Sequence, residues 1–65
     1  MNNKIRVARA EVRMTQQLAE AVDVSRQTIN AIESGKFVPS TVLALKIART
    51  FGKSVEDIFS LEEND

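Results

Sequence analysis

The segment Val22-Asp23-Val24-Ser25-Arg26-Gln27-Thr28-Ile29-Asn30-Ala31-Ile32-Glu33 restricts the fold more than any other part of this chain. At about 100° per residue around a helix, Ile29 and Ile32 share one edge. Gln27, Asn30, Ala31 and Ser34 gather on the opposite edge, flanked by Arg26 and Thr28. Ser25 stands just ahead, where a hydroxyl can accept an orphan backbone N–H and open a helix at Arg26. The result is a helix clamped on one side, with a short, uncharged outer face that both donates and accepts hydrogen bonds. Ala31 keeps that face low enough for close approach, and Gln27 and Thr28 lie in the first turn, where a helix end in a DNA groove meets base edges.

The remaining periodicity is helical, with no strand-like alternation of any length. Helix 1 is expected from about Asn3 to Val12, with Ile5, Ala8 and Val12 on one stripe and Lys4, Arg6 and Arg13 off it, facing solvent or phosphate. Arg9 lies only about 40° from Ile5 by the same arithmetic, so it is partly buried and needs a carboxylate. Glu33 is the obvious partner. Helix 2 is expected over about Gln16 to Val22 and helix 3 over Arg26 to Ser34, ended by Gly35. Helix 4 follows Pro39 and the N-cap Ser40 and runs to Phe51, with Gly52 as its stop. Its Val42, Leu43, Ala44, Leu45, Ile47, Ala48 and Phe51 cover more than one face and make it the centre of the core. Ser54 and Asp57 form a shortened capping box that opens helix 5, which carries Val55, Ile58 and Phe59.

Sixty-five residues allow one domain, and a chain of this size buries only about 60% of the surface it exposes when unfolded. There are no Cys and no His, which removes disulfides and the usual zinc sites as staples. A second copy of the chain is the remaining source of stability. Val55, Ile58, Phe59 and Leu61 exceed what a single terminal turn can bury, and surplus apolar surface at a chain end often marks an interface. No apolar run approaches the ~20 residues of a membrane span, and the N-terminus has no signal-peptide pattern. A soluble, cytoplasmic protein with no membrane partner is expected.

Zero net charge hides an uneven distribution. Residues 1–55 hold all nine Lys and Arg against four acids, a net +5, whereas residues 56–65 hold five acids and no base. A basic body with an acidic end is compatible with binding a polyanion when the acidic end lies away from the contact face. The expected division is a folded unit over 1–61 and an acidic tail over 62–65. Enzyme chemistry is not expected: there is no His, Cys or Tyr, no Gly-rich phosphate loop, and no pair of acids at catalytic or metal-binding spacing. No cofactor is expected, and a core this small leaves little room for a small-molecule ligand.

Leu18, Ala19, Val22, Val24, Ile29 and Ile32, the wording Ser25-Arg26-Gln27-Thr28-Ile29, and Ile32-Glu33-Ser34-Gly35-Lys36 followed by Pro39-Ser40 together resemble the phage repressor and Cro-like helix-turn-helix regulators. The likeness runs from about Ile5 to Phe59, and the short cytolysin-type repressors are especially similar. It implies an all-α, compact five-helix bundle of the lambda repressor type, with Ala19 where two helices cross closely. It also implies an Arg9–Glu33 pair and a two-fold dimer through the C-terminal region, where chain ends add short strands. Two departures stand out. Relatives read Thr-Gln-x-Glu-Leu-Ala where this chain has Thr15-Gln16-Gln17-Leu18-Ala19, one residue fewer, so the gap lies N-terminal to Leu18. Either Gln16 or Thr15 then takes the family's phosphate-gripping place. Asp23 occupies a turn position where many relatives have Gly, and Asp tolerates the left-handed conformation better than most residues.

The function this resemblance implies is a transcriptional regulator, most simply a repressor, whose homodimer binds a palindromic operator in double-stranded DNA. Gln27 can pair bidentately with adenine, Arg26 can reach a guanine or a phosphate, and Thr28 can touch a thymine methyl or an acceptor, with Asn30 next. Gln16, Ser25 and Lys36 would grip phosphate, orienting without specifying. A protein-interaction adaptor or antitoxin-like module that keeps the same fold is the alternative, carried by the acidic end and its apolar residues.

Overall fold

A computed structural model describes residues 1–12 and 17–65. The expected gap before Leu18 and the expected phosphate contact of Gln16 lie outside the described residues. Five helices are present among those described: α1 (Ile5–Glu11), α2 (Gln17–Ala21), α3 (Arg26–Glu33), α4 (Thr41–Thr50) and α5 (Val55–Ile58). Two short strands, β1 (Asn2–Asn3) and β2 (Phe59–Ser60), pair antiparallel with Asn2 opposite Ser60 and Asn3 opposite Phe59.

The strands correct the expected start of the first helix. Asn3 is backbone-paired to the other end of the same chain, and α1 begins at Ile5. A two-residue strand is too short to show alternation, so nothing local announces it. The terminal strands implied by the resemblance thus pair within one chain. Val12, expected on the buried stripe of helix 1, is instead exposed at the helix end.

The helix starts follow their caps. Ser25, Ser40 and Ser54 each accept from a backbone N–H three residues on, those of Thr28, Leu43 and Asp57. At α5 the Asp57 carboxylate accepts in turn from the Ser54 N–H, completing a capping box. That backbone donor holds the Asp57 carboxyl below its usual range, helped by the Ser54 side chain.

The helix ends repeat one motif. After α2, Asp23 N–H donates to the Glu20 carbonyl and Val24 N–H to that of Ala19. After α3, Gly35 and Lys36 donate to Ile32 and Ala31 in the same pattern. This closure needs a left-handed residue after the helix, and Asp23 (φ 60°) and Gly35 (φ 79°) supply it. The turn between α2 and α3 therefore has glycine's geometry without glycine.

Among the described residues twelve buried apolar side chains form one core: Ile5 and Ala8 of α1, Leu18 and Ala19 of α2 with Val22, Ile29 and Ile32 of α3, Ala44, Ile47 and Ala48 of α4, Ile58 of α5 and Phe59 of β2. Helix α4 packs against both α2 and α5, consistent with its expected central place. Only one of its faces is covered, however. Val42 and Leu45, counted with the core on sequence, are 62% and 55% exposed. Among the described residues no helix is long and apolar enough to cross a membrane.

Candidate nucleic-acid interface

Helix α3 is fixed from within by its own sequence. Ile29 and Ile32 are buried, and Arg26, Gln27 and Asn30 on the other side are exposed. Thr28 is half-buried, and its hydroxyl lies 2.9 Å from that of Ser25, so the two share a hydrogen bond. Ser25 also caps the helix through Thr28 N–H at 3.1 Å. Both hydroxyls already have a partner within the protein, and the Thr28 methyl remains as an additional contact group. Half-buried Ala31 keeps the outer face low, as its size suggests.

Helix α2 packs across α3 with Leu18 and Ala19 buried between them and the core. A larger side chain than Ala19 would push the pair apart, because interhelical distance is set by the side chains at the crossing. The compact turn of Val22 to Ser25 sets the relative direction of the two helices. Lys36 is exposed just past α3, and its backbone N–H is tied to the Ala31 carbonyl at 2.9 Å. Its backbone is therefore held in place just past the end of α3.

The far end of α3 is held by α1. Arg9 Nη2 lies 2.9 Å from Glu33 Oε1 and donates to Oε2 at 3.1 Å. Arg6 Nε also donates to Oε2 at 3.3 Å. The Glu33 side chain is only 3% exposed, so this carboxylate exchanges water for two guanidinium groups. Arg6 was expected to face solvent or phosphate; it remains 75% exposed but shares Glu33.

The dimer residues expected from sequence separate into two groups. Ile58 and Phe59, expected at the interface, are buried in the chain's own core. Val55 is half-buried and Leu61 is 78% exposed. Short chains need their terminal residues for the core, and here β2 carries Phe59 inward. Exposed apolar side chains lie elsewhere, among them Val7, Phe37 and Val38 and, on one face of α4, Val42 and Leu45; the last two, with Ala48 and Val55, line an open groove between α4 and α5 that also takes in Lys46, Arg49 and Lys53. The sequence pattern of α4, apolar around more than half its circumference, was the available signal for this surface.

The acidic end does not extend freely. The Met1 ammonium lies 3.2 Å from Asp65 Oδ2 and 3.4 Å from Glu62 Oε1. A hydrogen bond to Asp65, reinforced by both carboxylates, raises the pKa of that ammonium. Among the described residues no group of three or more His, Cys, Asp or Glu could hold a metal ion.

The chain matches the family described as helix-turn-helix over residues 5–58. It is 48% identical to an uncharacterized HTH-type transcriptional regulator of Bacillus subtilis and 52% identical to one of Methanocaldococcus jannaschii, each alignment covering all of both chains. A third such regulator, of Methanothermobacter thermautotrophicus, is 50% identical over 98% of this chain and 96% of its own. An α2–turn–α3 unit clamped by Ile29 and Ile32, set in a five-helix bundle and matched by these relatives along their full length, makes this chain a member of the Cro/C1-type helix-turn-helix family.

Proposed function

We propose that this protein is a cytoplasmic, non-enzymatic transcriptional regulator that binds double-stranded DNA by sequence, with α3 in the major groove. The observation that carries this reading is the outward presentation of Arg26, Gln27 and Asn30 on a helix whose opposite side is locked by two buried isoleucines. Gln27 reads adenine, Arg26 a guanine or a phosphate, Asn30 a neighbouring base edge, and the Thr28 methyl a thymine. Lys36 and the backbone around Ser25 grip phosphate, and Gln16 is assigned to the same work. Residues 1–61 form the DNA-binding unit and 62–65 its acidic tail.

Operator binding is assigned to a homodimer, with repression following from occupancy of a palindromic site. One chain measures 31 Å in its longest dimension and carries one recognition helix, whereas successive half-sites are ~34 Å apart. Reading two half-sites takes two chains. The surface assigned to the partner copy is the α4–α5 groove, with Val42, Leu45 and Val55, and exposed Leu61 is assigned to the same interface. Placing a charge there by Leu45→Glu is expected to shift the protein to monomer in sedimentation equilibrium while its circular dichroism stays native. A dimer that persists would place the interface elsewhere.

Selection of duplexes from a random pool tests the reading directly, since it reports both binding and half-site spacing. Gln27→Ala is expected to relax one base pair of the selected site at a cost of ~1–3 kcal/mol in operator affinity. An unchanged selected sequence would remove Gln27 from the readers. Failure of the wild-type chain to retain any duplex in a salt-sensitive way would favour the adaptor reading, which the apolar groove also suits.

A further inference from the structure

The end of α3 farthest from Gln27 is held by a residue that the helix-turn-helix unit does not contain. Asn3, half-buried in β1, donates from Nδ2 to the Ile32 carbonyl at 2.8 Å across 29 residues of sequence. Its Oδ1 accepts from Ile5 N–H at 3.3 Å. A carbonyl only accepts and a backbone N–H only donates, so these two partners fix the orientation of the amide. The backbone of Asn3 is meanwhile paired with Phe59 in β2, and the next residue, Lys4, donates to the Ile58 carbonyl at 2.8 Å.

We propose that Asn3 is a positioning residue for base reading, which ties the C-terminal end of α3 to the β1–β2 pair and so sets the tilt of the helix relative to the C-terminal strand. The inference rests on the DNA-reading role given to α3 above and adds to it a control point outside the helix-turn-helix.

The argument is one of leverage. The last carbonyls of a helix have no partner within it, and Ile32 has one of them. Gly35 N–H and the Asn3 amide both bond to it. Ile29 and Ile32 act as a pivot in the core, while the Ser25 cap is made within α3 itself and moves with it. Packing against α2 restrains the start of α3, and the far end is restrained separately. Two grips act there, and they lead to different places: Glu33 to α1 through Arg6 and Arg9, Ile32 to the strand pair through Asn3.

At about 1.5 Å per residue Gln27 lies about 5 Å along the axis from the pivot at Ile29 and Ile32, so a tilt of about 10° moves it by roughly 1 Å. A recognition site tolerates displacements of only about 0.5 Å. The grip at Ile32 thereby governs where Gln27 arrives.

The test uses the full chain and two substitutions. Asn3→Asp keeps the size and the acceptor for Ile5 N–H but loses the donor to Ile32, and Asn3→Ala removes both without adding charge. The DNA probes are a roughly 20-base-pair duplex recovered by the wild type from a random pool and a mixed-sequence duplex of equal length. Both variants are expected to lose about tenfold in the preference for the recovered duplex, comparable to one good base contact. Their affinity for the mixed duplex should stay within about twofold, since phosphate contacts dominate it.

An unchanged preference, or a parallel fall on both duplexes, would reduce Asn3 to ordinary structural support and overturn the proposal. Amide exchange decides the same question without DNA. The Gly35 and Lys36 amides, which close α3, should exchange faster in both variants than the Gly52 and Lys53 amides, which close α4 by the same pattern. Uniform acceleration, or none, would refute the tie. A wild-type chain that retains no duplex would refute the DNA reading, and the exchange result would still decide whether Asn3 holds α3.

Discussion

Ile47→Ala is expected to destabilise the protein by ~2–5 kcal/mol, the usual cost of truncating a fully buried isoleucine and leaving a cavity. Ile47 has 0% exposure and sits on α4, the helix that packs against both α2 and α5. Its loss therefore opens space at the junction of the helix-turn-helix and the C-terminal elements. A domain of this length has only ~3–10 kcal/mol of stability in total. Against that margin the substitution leaves a large unfolded fraction at growth temperature.

Urea denaturation followed by circular dichroism checks this through a lowered midpoint at unchanged slope. Leu45→Ala, on the exposed face of the same helix, serves as the internal comparison for a monomer. Equal costs at positions 45 and 47 would mean that α4 is not packed as described.

The second large effect is expected at Glu33. Glu33→Gln preserves shape, so no cavity term enters, but it removes the charge that two guanidinium groups share. Arg9 is mostly buried and would keep its positive charge beside a neutral amide, at a cost of ~2–3 kcal/mol. Arg6→Ala tests the other half of the cluster. That side chain is 75% exposed, and an exposed ion pair contributes ~1 kcal/mol or less. The two denaturation midpoints should thus differ clearly, with Glu33→Gln the lower. If Arg6→Ala cost as much as Glu33→Gln, the carboxylate would not be serving chiefly the buried partner. The operator preference of Glu33→Gln should fall as well, because the same carboxylate anchors the far end of α3.

Most elements of the helix-turn-helix were legible in the sequence because their signals are local. Ser25, Ser40 and Ser54 cap their helices through partners only three residues on. Gly35 closes α3 with bonds reaching no further back than Ala31. Ile29 and Ile32 are one turn apart and face inward together. That Arg9 needs a carboxylate followed from periodicity, the resemblance implied Glu33 as its partner, and the structure contains that ion pair.

The sequence was less informative wherever a residue's neighbour lies far along the chain. Asn3 was read as the start of a helix, and its strand partner is Phe59. Arg6 looked solvent-facing because its partner belongs to α3. Ile58 and Phe59 looked surplus to a single turn, and they are core, Ile58 at the end of α5 and Phe59 in β2.

By itself the sequence determined the helices, their caps and the outward face of α3, since periodicity and capping act within a few residues of one another. Which apolar surfaces were left over, Val42 and Leu45 rather than Ile58 and Phe59, was decided only by tertiary packing. So was the tie between the two chain ends and α3 through Asn3. Burial depends on what the rest of the chain brings to a face, and no window of sequence contains both sides of a contact 29 residues apart.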